Sequence, residues 1–177
     1  MEPGARCSAV DHVNERAQAA MAEELKVGDK APEFSLPDQH GNHVTLKSLK
    51  GRRVVLYFYP KDDTPGCTKE ACGFRDSLGP IKKAGAVVLG VSQDDGVSHQ
   101  KFITKYQLPF TLLSDEDARV SKTYGVYKQK NMYGKKYWGI ERTTFVIDPA
   151  GKLKAVFKKV KVDGHVDEVL AALRNEA

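Results

Sequence analysis

The run Val54-Val55-Leu56-Tyr57-Phe58-Tyr59 is apolar at every position and rich in β-branched and aromatic side chains, the pattern of a strand covered on both faces. Such a strand belongs at the centre of a sheet with helices on either side, so it narrows the chain to α/β architectures. The chain leaving it meets Pro60, turns through Asp62, Asp63, Thr64 and Pro65-Gly66, and enters Cys67-Thr68-Lys69-Glu70-Ala71-Cys72, which is helix-compatible. Cys67 is therefore expected in or beside the first helical turn. Free backbone N–H groups and the macrodipole favour negative charge there, so a thiol at that place leans toward thiolate.

The remaining elements alternate. A short strand is expected near Val44 to Lys47 and a helix from about Cys67, broken or kinked at Gly79-Pro80 before Ile81 to Ala84. Ala86 to Val91 reads as a second buried strand, Ser98 to Tyr106 as a helix, Phe110 to Leu113 as a strand and Asp115 to Tyr124 as a helix. Lys128 to Gly139 reads as a polar, aromatic-rich loop. Thr143 to Ile147 and Leu153 to Lys159 flank Asp148-Pro149-Ala150-Gly151, a hairpin turn signal. Asp163 is expected to cap a closing helix whose Val166, Val169, Leu170 and Leu173 recur at helical spacing. This order is that of a thioredoxin-like α/β sandwich.

With 177 residues, 41% of them hydrophobic, the chain suits one sizeable core. Residues 23–177 are expected to form that single domain. Residues 1–22 are expected to be an extension, either a disordered stretch or a helical arm, because Met1 to Ala20 holds Glu2, Asp11 and Glu15 and has no apolar core segment. The net charge of +5 is spread among mixed acidic and basic residues, which favours a solvated surface over a nucleic-acid-binding face. No stretch approaches the apolar length of a membrane span. The expected compartment is a reducing cytoplasm, where a pair such as Cys67 and Cys72 is more often catalytic or metal-binding than structural. The five histidines stand at no familiar zinc-ligand spacing from these cysteines, which weakens the metal branch.

Pro60-x-x-x-Thr64-x-x-Cys67 resembles the active-site signature of the peroxiredoxins, and Cys67-x4-Cys72 resembles their Q-type, or bacterioferritin-comigratory-protein, branch. Phe34 to Asp38, Phe110 to Asp115 and Glu141 to Asp148 carry the resemblance on, from about Lys26 to the C-terminus. It implies a thioredoxin-like fold and a thiol peroxidase acting on hydrogen peroxide and small organic hydroperoxides. It also implies thioredoxin or a similar dithiol protein as reductant, and no metal, haem or flavin. A monomer or weak homodimer is expected, without nucleic-acid or membrane partners.

The chemistry asks for particular groups. A free cysteine, with a pKa near 8.5, is only a few per cent thiolate at neutral pH, and lowering that value to about 6 takes roughly 3 kcal/mol. A helix N-terminus typically supplies about 0.3 to 1 kcal/mol and up to about 2, so a fixed cation is needed as well. Arg142, on a late strand, is the candidate; otherwise it is a surface arginine. Thr64 offers a hydroxyl able to accept from a peroxide and donate to an oxygen, or else it is an ordinary turn residue. Pro60 can shield the sulfur from water. Glu70 is either a carboxylate that holds Arg142 or an exposed helix residue.

Oxidation of Cys67 would give a sulfenic acid, for which Cys72 is the candidate resolving thiol; the alternative is a Cys72 that only packs. In an ideal helix, residues five apart have Cα atoms about 8.7 Å apart, beyond the roughly 7 Å limit of a disulfide. Bridging requires the first turns to unwind, and Gly66 and Gly73 flank that segment. Two other readings stay open on the same fold, a disulfide-exchange module and a non-catalytic redox sensor or holdase. The first lacks the expected Cys-x-x-Cys.

Overall fold

The computed structural model describes residues 24–174. Two short strands, β1 (Ser35–Pro37) and β2 (His43–Thr45), pair antiparallel, and a 3-10 turn over Lys47–Leu49 leads to the central strand β3 (Arg53–Phe58). Helices α1 (Pro65–Asp76) and α2 (Leu78–Lys83), strand β4 (Ala86–Ser92), helix α3 (Gly96–Tyr106) and strand β5 (Thr111–Ser114) follow. A short helix α4 (Arg119–Thr123) precedes the hairpin β6 (Tyr127–Met132) and β7 (Lys135–Ile140). The chain then forms β8 (Thr143–Ile147), β9 (Leu153–Phe157) and helix α5 (His165–Arg174).

Five strands make the main sheet, in the order β5-β4-β3-β8-β9, with β3, β4 and β5 mutually parallel and β8 and β9 antiparallel to their neighbours. The expected strand at Val54–Tyr59 sits at its middle, buried throughout. Val55, Tyr57 and Tyr59 face one apolar cluster with Phe74 of α1, Ile81 of α2, Phe102 of α3 and Leu173 of α5. Val54, Leu56 and Phe58 face a second cluster with Phe34, Tyr124, Ile140 and Phe145. Each such side chain contributes about 1.5–3 kcal/mol on burial, and only a strand with period-two alternation between two apolar layers can use every position. That is the thioredoxin-like sandwich expected.

This topology brings distant segments together. The parallel β3-α1-α2-β4 crossover starts α1 at the C-terminal edge of the sheet, the edge where open α/β folds gather their functional groups. Strand β8 runs the opposite way, with Thr143 opposite Phe58, so Arg142 just before it lies at that same edge.

Several sequence expectations need correction. Lys128 to Gly139 is a β-hairpin, not a loop: Tyr133 and Gly134 both take positive φ, 52° and 80°, as a two-residue hairpin turn requires. Exposed lysines and aromatics along both strands hid the alternation. The break between α1 and α2 falls at Ser77, and Gly79-Pro80 lies inside the first turn of α2, where proline lacks no needed donor. The helix expected from Asp115 begins only at Arg119, because the Asp115 carboxylate turns back to accept from the Val120 and Ser121 amides, with Ala118 at φ 58°. The Asp163 carboxylate pairs with Lys69 of α1. The extension at residues 1–22 and Cys7 lie outside the described residues.

Candidate active site

Thr64 has extended dihedrals (φ −97°, ψ 155°) and stands at the N-cap of α1; Pro65 follows at the start of the helix, where it is pre-organised. The first intrahelical donor is Thr68, whose amide bonds the Thr64 carbonyl at 2.8 Å. Cys67 thus occupies the first turn, as expected, with 1% of its surface exposed. Its thiol is free, and so is that of half-buried Cys72 on the same unbroken helix. No helical geometry bridges these two without unwinding.

Arg142 reaches Cys67 from across the sheet edge: its Nη2 donates to Sγ at 3.1 Å and its Nη1 donates to Glu70 Oε1 at 2.8 Å. One planar fork therefore joins the sulfur to a carboxylate three residues on. Gly66 makes room for it, since a Cβ there would stand 3.1 Å from Nη2. The Glu70 side chain is fully buried, and its Oε2 has no partner among the described residues. Burial pushes the Glu70 carboxyl up to about 7 although Arg142 pulls the other way. For Arg142 burial opposes the charge, but Glu70 and Cys67 outweigh it and hold the guanidinium more firmly protonated than usual.

Of the residues expected from sequence, Cys67, Arg142 and Glu70 are in direct contact. Thr64 lies half-buried at the helix start, with its Oγ1 donating to the Lys61 carbonyl at 3.0 Å and accepting from no donor among the described residues. Pro60 is half-buried at the head of the same loop. Two groups escaped the sequence reading. Lys130 of β6 is part-buried with its stem over Gly139, and burial, helped by the nearby Arg142 charge, lowers its pKa while Glu141 and Cys67 oppose. Tyr57 lies under the site with its hydroxyl buried and unpartnered among the described residues; burial, then Glu70 and Cys67, push it well up. A groove of about 590 Å³ lined by Leu46, Arg52, Val54 and Pro149 lies at the far end of β3 and shares no residue with this site. Among the described residues no cluster of three or more His, Cys, Asp or Glu is placed to hold a metal, and no helix is long and apolar enough to cross a membrane.

Comparison with known proteins gives the site its context. Residues 27–156 match the AhpC/TSA family. The chain is 61% identical over 149 residues to a putative peroxiredoxin bcp of Coxiella burnetii, covering 84% of this chain and 99% of that one. It is 50% identical over 153 residues to peroxiredoxin Bcp of Escherichia coli K12, covering 86% and 98%. Among solved structures, peroxiredoxin Q of Xanthomonas campestris superposes with a TM-score of 0.76 at 47% identity, covering 80% of this chain and 89% of that one. A Cys-to-Ser mutant of Xylella fastidiosa PrxQ gives 0.81 at 38% identity, covering 86% and 97%. A buried cysteine at a helix start, bonded by an arginine that stands just before β8 rather than on a strand, agrees with those matches: the chain belongs to the AhpC/TSA family, among the Bcp or Q-type peroxiredoxins, thiol peroxidases that reduce peroxides and are themselves restored by a thiol reductant.

Proposed function

We propose that Cys67 is the thiol that attacks the peroxide and that Cys72 resolves the product. The Cys67 thiolate attacks one peroxide oxygen, so an S–O bond forms and the O–O bond breaks. The oxygen that leaves takes up a proton and departs as water or an alcohol. Arg142 stabilises both the thiolate and the charge growing on the oxygens, with Glu70 holding its guanidinium in plane. Thr64 accepts from the peroxide hydroxyl, and Pro60 shields the sulfur.

The sulfenic acid on Cys67 then meets the Cys72 thiolate after the start of α1 unwinds. An S–S bond forms, the S–O bond breaks and hydroxide leaves as water after protonation. A dithiol protein such as thioredoxin returns both thiols by disulfide exchange. The substrates are hydrogen peroxide and small organic hydroperoxides; the X. campestris bacterioferritin comigratory protein, 46% identical, has been studied for alkyl peroxide reduction. The enzyme acts in the cytoplasm as a monomer or weak homodimer.

The observation that carries this reading is the 3.1 Å bond from Arg142 to the Cys67 sulfur at a helix N-terminus. The test is peroxide consumption with a dithiol reductant, together with peptide mapping after one equivalent of peroxide. A Cys67–Cys72 bridge is expected. A bridge between Cys67 and Cys7 would overturn the resolving step.

A further inference from the structure

The loop that leads to Cys67 carries two consecutive aspartates, and both reach across to helix α3. Asp62 is 7% exposed; its Oδ1 accepts from Tyr59 Oη at 2.5 Å and its Oδ2 accepts from Ser98 Oγ at 2.8 Å. The same Oδ2 lies 2.7 Å from Nδ1 of the fully buried His99, whose Nε2 lies 3.0 Å from the Leu113 carbonyl. The Asp62 amide donates to Asp94 Oδ2 at 2.8 Å, an oxygen that also accepts from Ser92 Oγ at 2.7 Å. Asp63 takes φ 56°, the left-handed region, and there its two oxygens meet Lys105 Nζ and Tyr106 Oη, each at 2.8 Å.

Hydrogen counting constrains the buried pair. A carbonyl oxygen only accepts, so His99 Nε2 carries a hydrogen. A second hydrogen lies between Nδ1 and Asp62 Oδ2, whichever atom holds it, so the pair is neutral as a unit. On α3, Ser98 and Lys105 are seven residues apart, as are His99 and Tyr106. That spacing aligns each pair along α3, and the two adjacent rows are the ones that contact the loop. The contacts stop at Asp63, one residue before the helix cap, whereas the segment that must unwind for Cys72 begins after it.

We propose that helix α3 is a clasp for the reaction loop, in which Asp62, Asp63, His99 and Lys105 are positioning residues that fix where Pro60 and Thr64 stand relative to Cys67. The assignment rests on the reading that Thr64 and Cys67 act on the peroxide. A left-handed non-glycine residue and a buried ionisable pair are both unfavourable unless the surroundings enforce them. Here both serve one short loop whose other end carries the reacting groups. The clasp keeps the near side of the site fixed while the first turns of α1 rearrange on the far side.

The test begins with Asp63→Gly in the full chain, because glycine suits the positive φ and the substitution removes only the two side-chain bonds. The rate of the reduced enzyme with hydrogen peroxide is expected to fall about tenfold, in line with the cost of displacing a catalytic group by a fraction of an ångström. Alkylation of Cys67 by iodoacetamide, which needs the sulfur and Arg142 but not Thr64, is expected to stay within about twofold. The double variant Lys105→Met, Tyr106→Phe is expected to show the same split, and adding Asp63→Gly to it is expected to cost nothing more. A wild-type peroxide rate in Asp63→Gly, or equal losses in peroxide reaction and alkylation, would overturn the clasp. Thr64→Val keeps the clasp intact, so an unchanged peroxide rate in that variant would instead remove the role of Thr64 on which the proposal rests.

Discussion

Replacing Glu70 by Gln separates the electrostatics of the site from its shape. The side chain is fully buried, accepts from Arg142 at 2.8 Å through Oε1, and leaves Oε2 unpartnered among the described residues. Burial carries its carboxyl from the ordinary 4.5 to about 7. An acid whose folded value is raised binds its proton more tightly folded than unfolded. Its contribution to stability is therefore complete below about 4.5 and is lost as pH rises through about 7. At about 1.4 kcal/mol per tenfold in proton affinity, that loss is about 3 kcal/mol. Gln keeps the size and one acceptor but cannot ionise, so the loss vanishes. Urea unfolding of both proteins at pH 5 and pH 8 measures most of the difference, since pH 5 already lies slightly above the unfolded value: relative to wild type, Glu70→Gln is expected to gain about 2 to 3 kcal/mol between the two conditions. Titrating groups that Glu70 does not touch, such as His165, whose pKa burial lowers, are common to both and cancel. The peroxide rate of Glu70→Gln at pH 8 is expected to fall several-fold as Arg142 loses its ionic anchor. A stability difference that does not change with pH would refute the reasoning, because it would mean that Glu70 is ionised throughout the range.

Cys67→Ser is expected to abolish peroxide consumption, measured by loss of peroxide with a dithiol reductant. Cys72→Ser is expected to react once and then stall, accumulating sulfinic acid at Cys67 by mass spectrometry. Arg142→Met is expected to slow both peroxide reaction and alkylation. It should also destabilise the fold more at pH 8 than at pH 5, since Arg142 is what offsets the burial of the Glu70 carboxyl and its loss makes that burial costlier as pH rises; unfolding midpoints at the two pH values check this. In Gly66→Ala the new Cβ would stand 3.1 Å from the guanidinium, so the peroxide rate is expected to drop about threefold or more while the melting temperature holds or rises, helix propensity favouring alanine.

The sequence carries the core of this molecule in Val54–Tyr59, because a fully apolar six-residue run between turn residues has one stable place in an α/β fold. Cys67 and its helix start were equally legible from Pro60, Thr64 and Pro65-Gly66. Arg142 was legible only through resemblance, since nothing in its neighbours says that Thr143 pairs opposite Phe58. The sequence leaves Glu70 open between a buried and an exposed role, because helical spacing alone does not tell which face of α1 meets the arginine. The hairpin of β6 and β7 was missed because its residues are mostly exposed, so no apolar stripe marks either strand. Asp62 and His99 escaped as well. Their contact joins a loop to a helix 37 residues later, and the only trace is a pair of adjacent aspartates in a turn, where aspartate is common.

The antiparallel pairing of β3 with β8 makes the reactive centre a product of finished folding. A slip of one residue in that ladder would move Arg142 by about 3.4 Å and turn each side chain of β8 to the opposite face, separating the guanidinium from the sulfur. The two partners are 75 residues apart, so a chain still leaving the ribosome holds Cys67 long before it holds Arg142. Until the later strand docks, that cysteine lacks the guanidinium that would arm it. With Cys67 and Arg142 in the roles proposed for them, sensitivity to peroxide is expected to begin only when the sheet is complete.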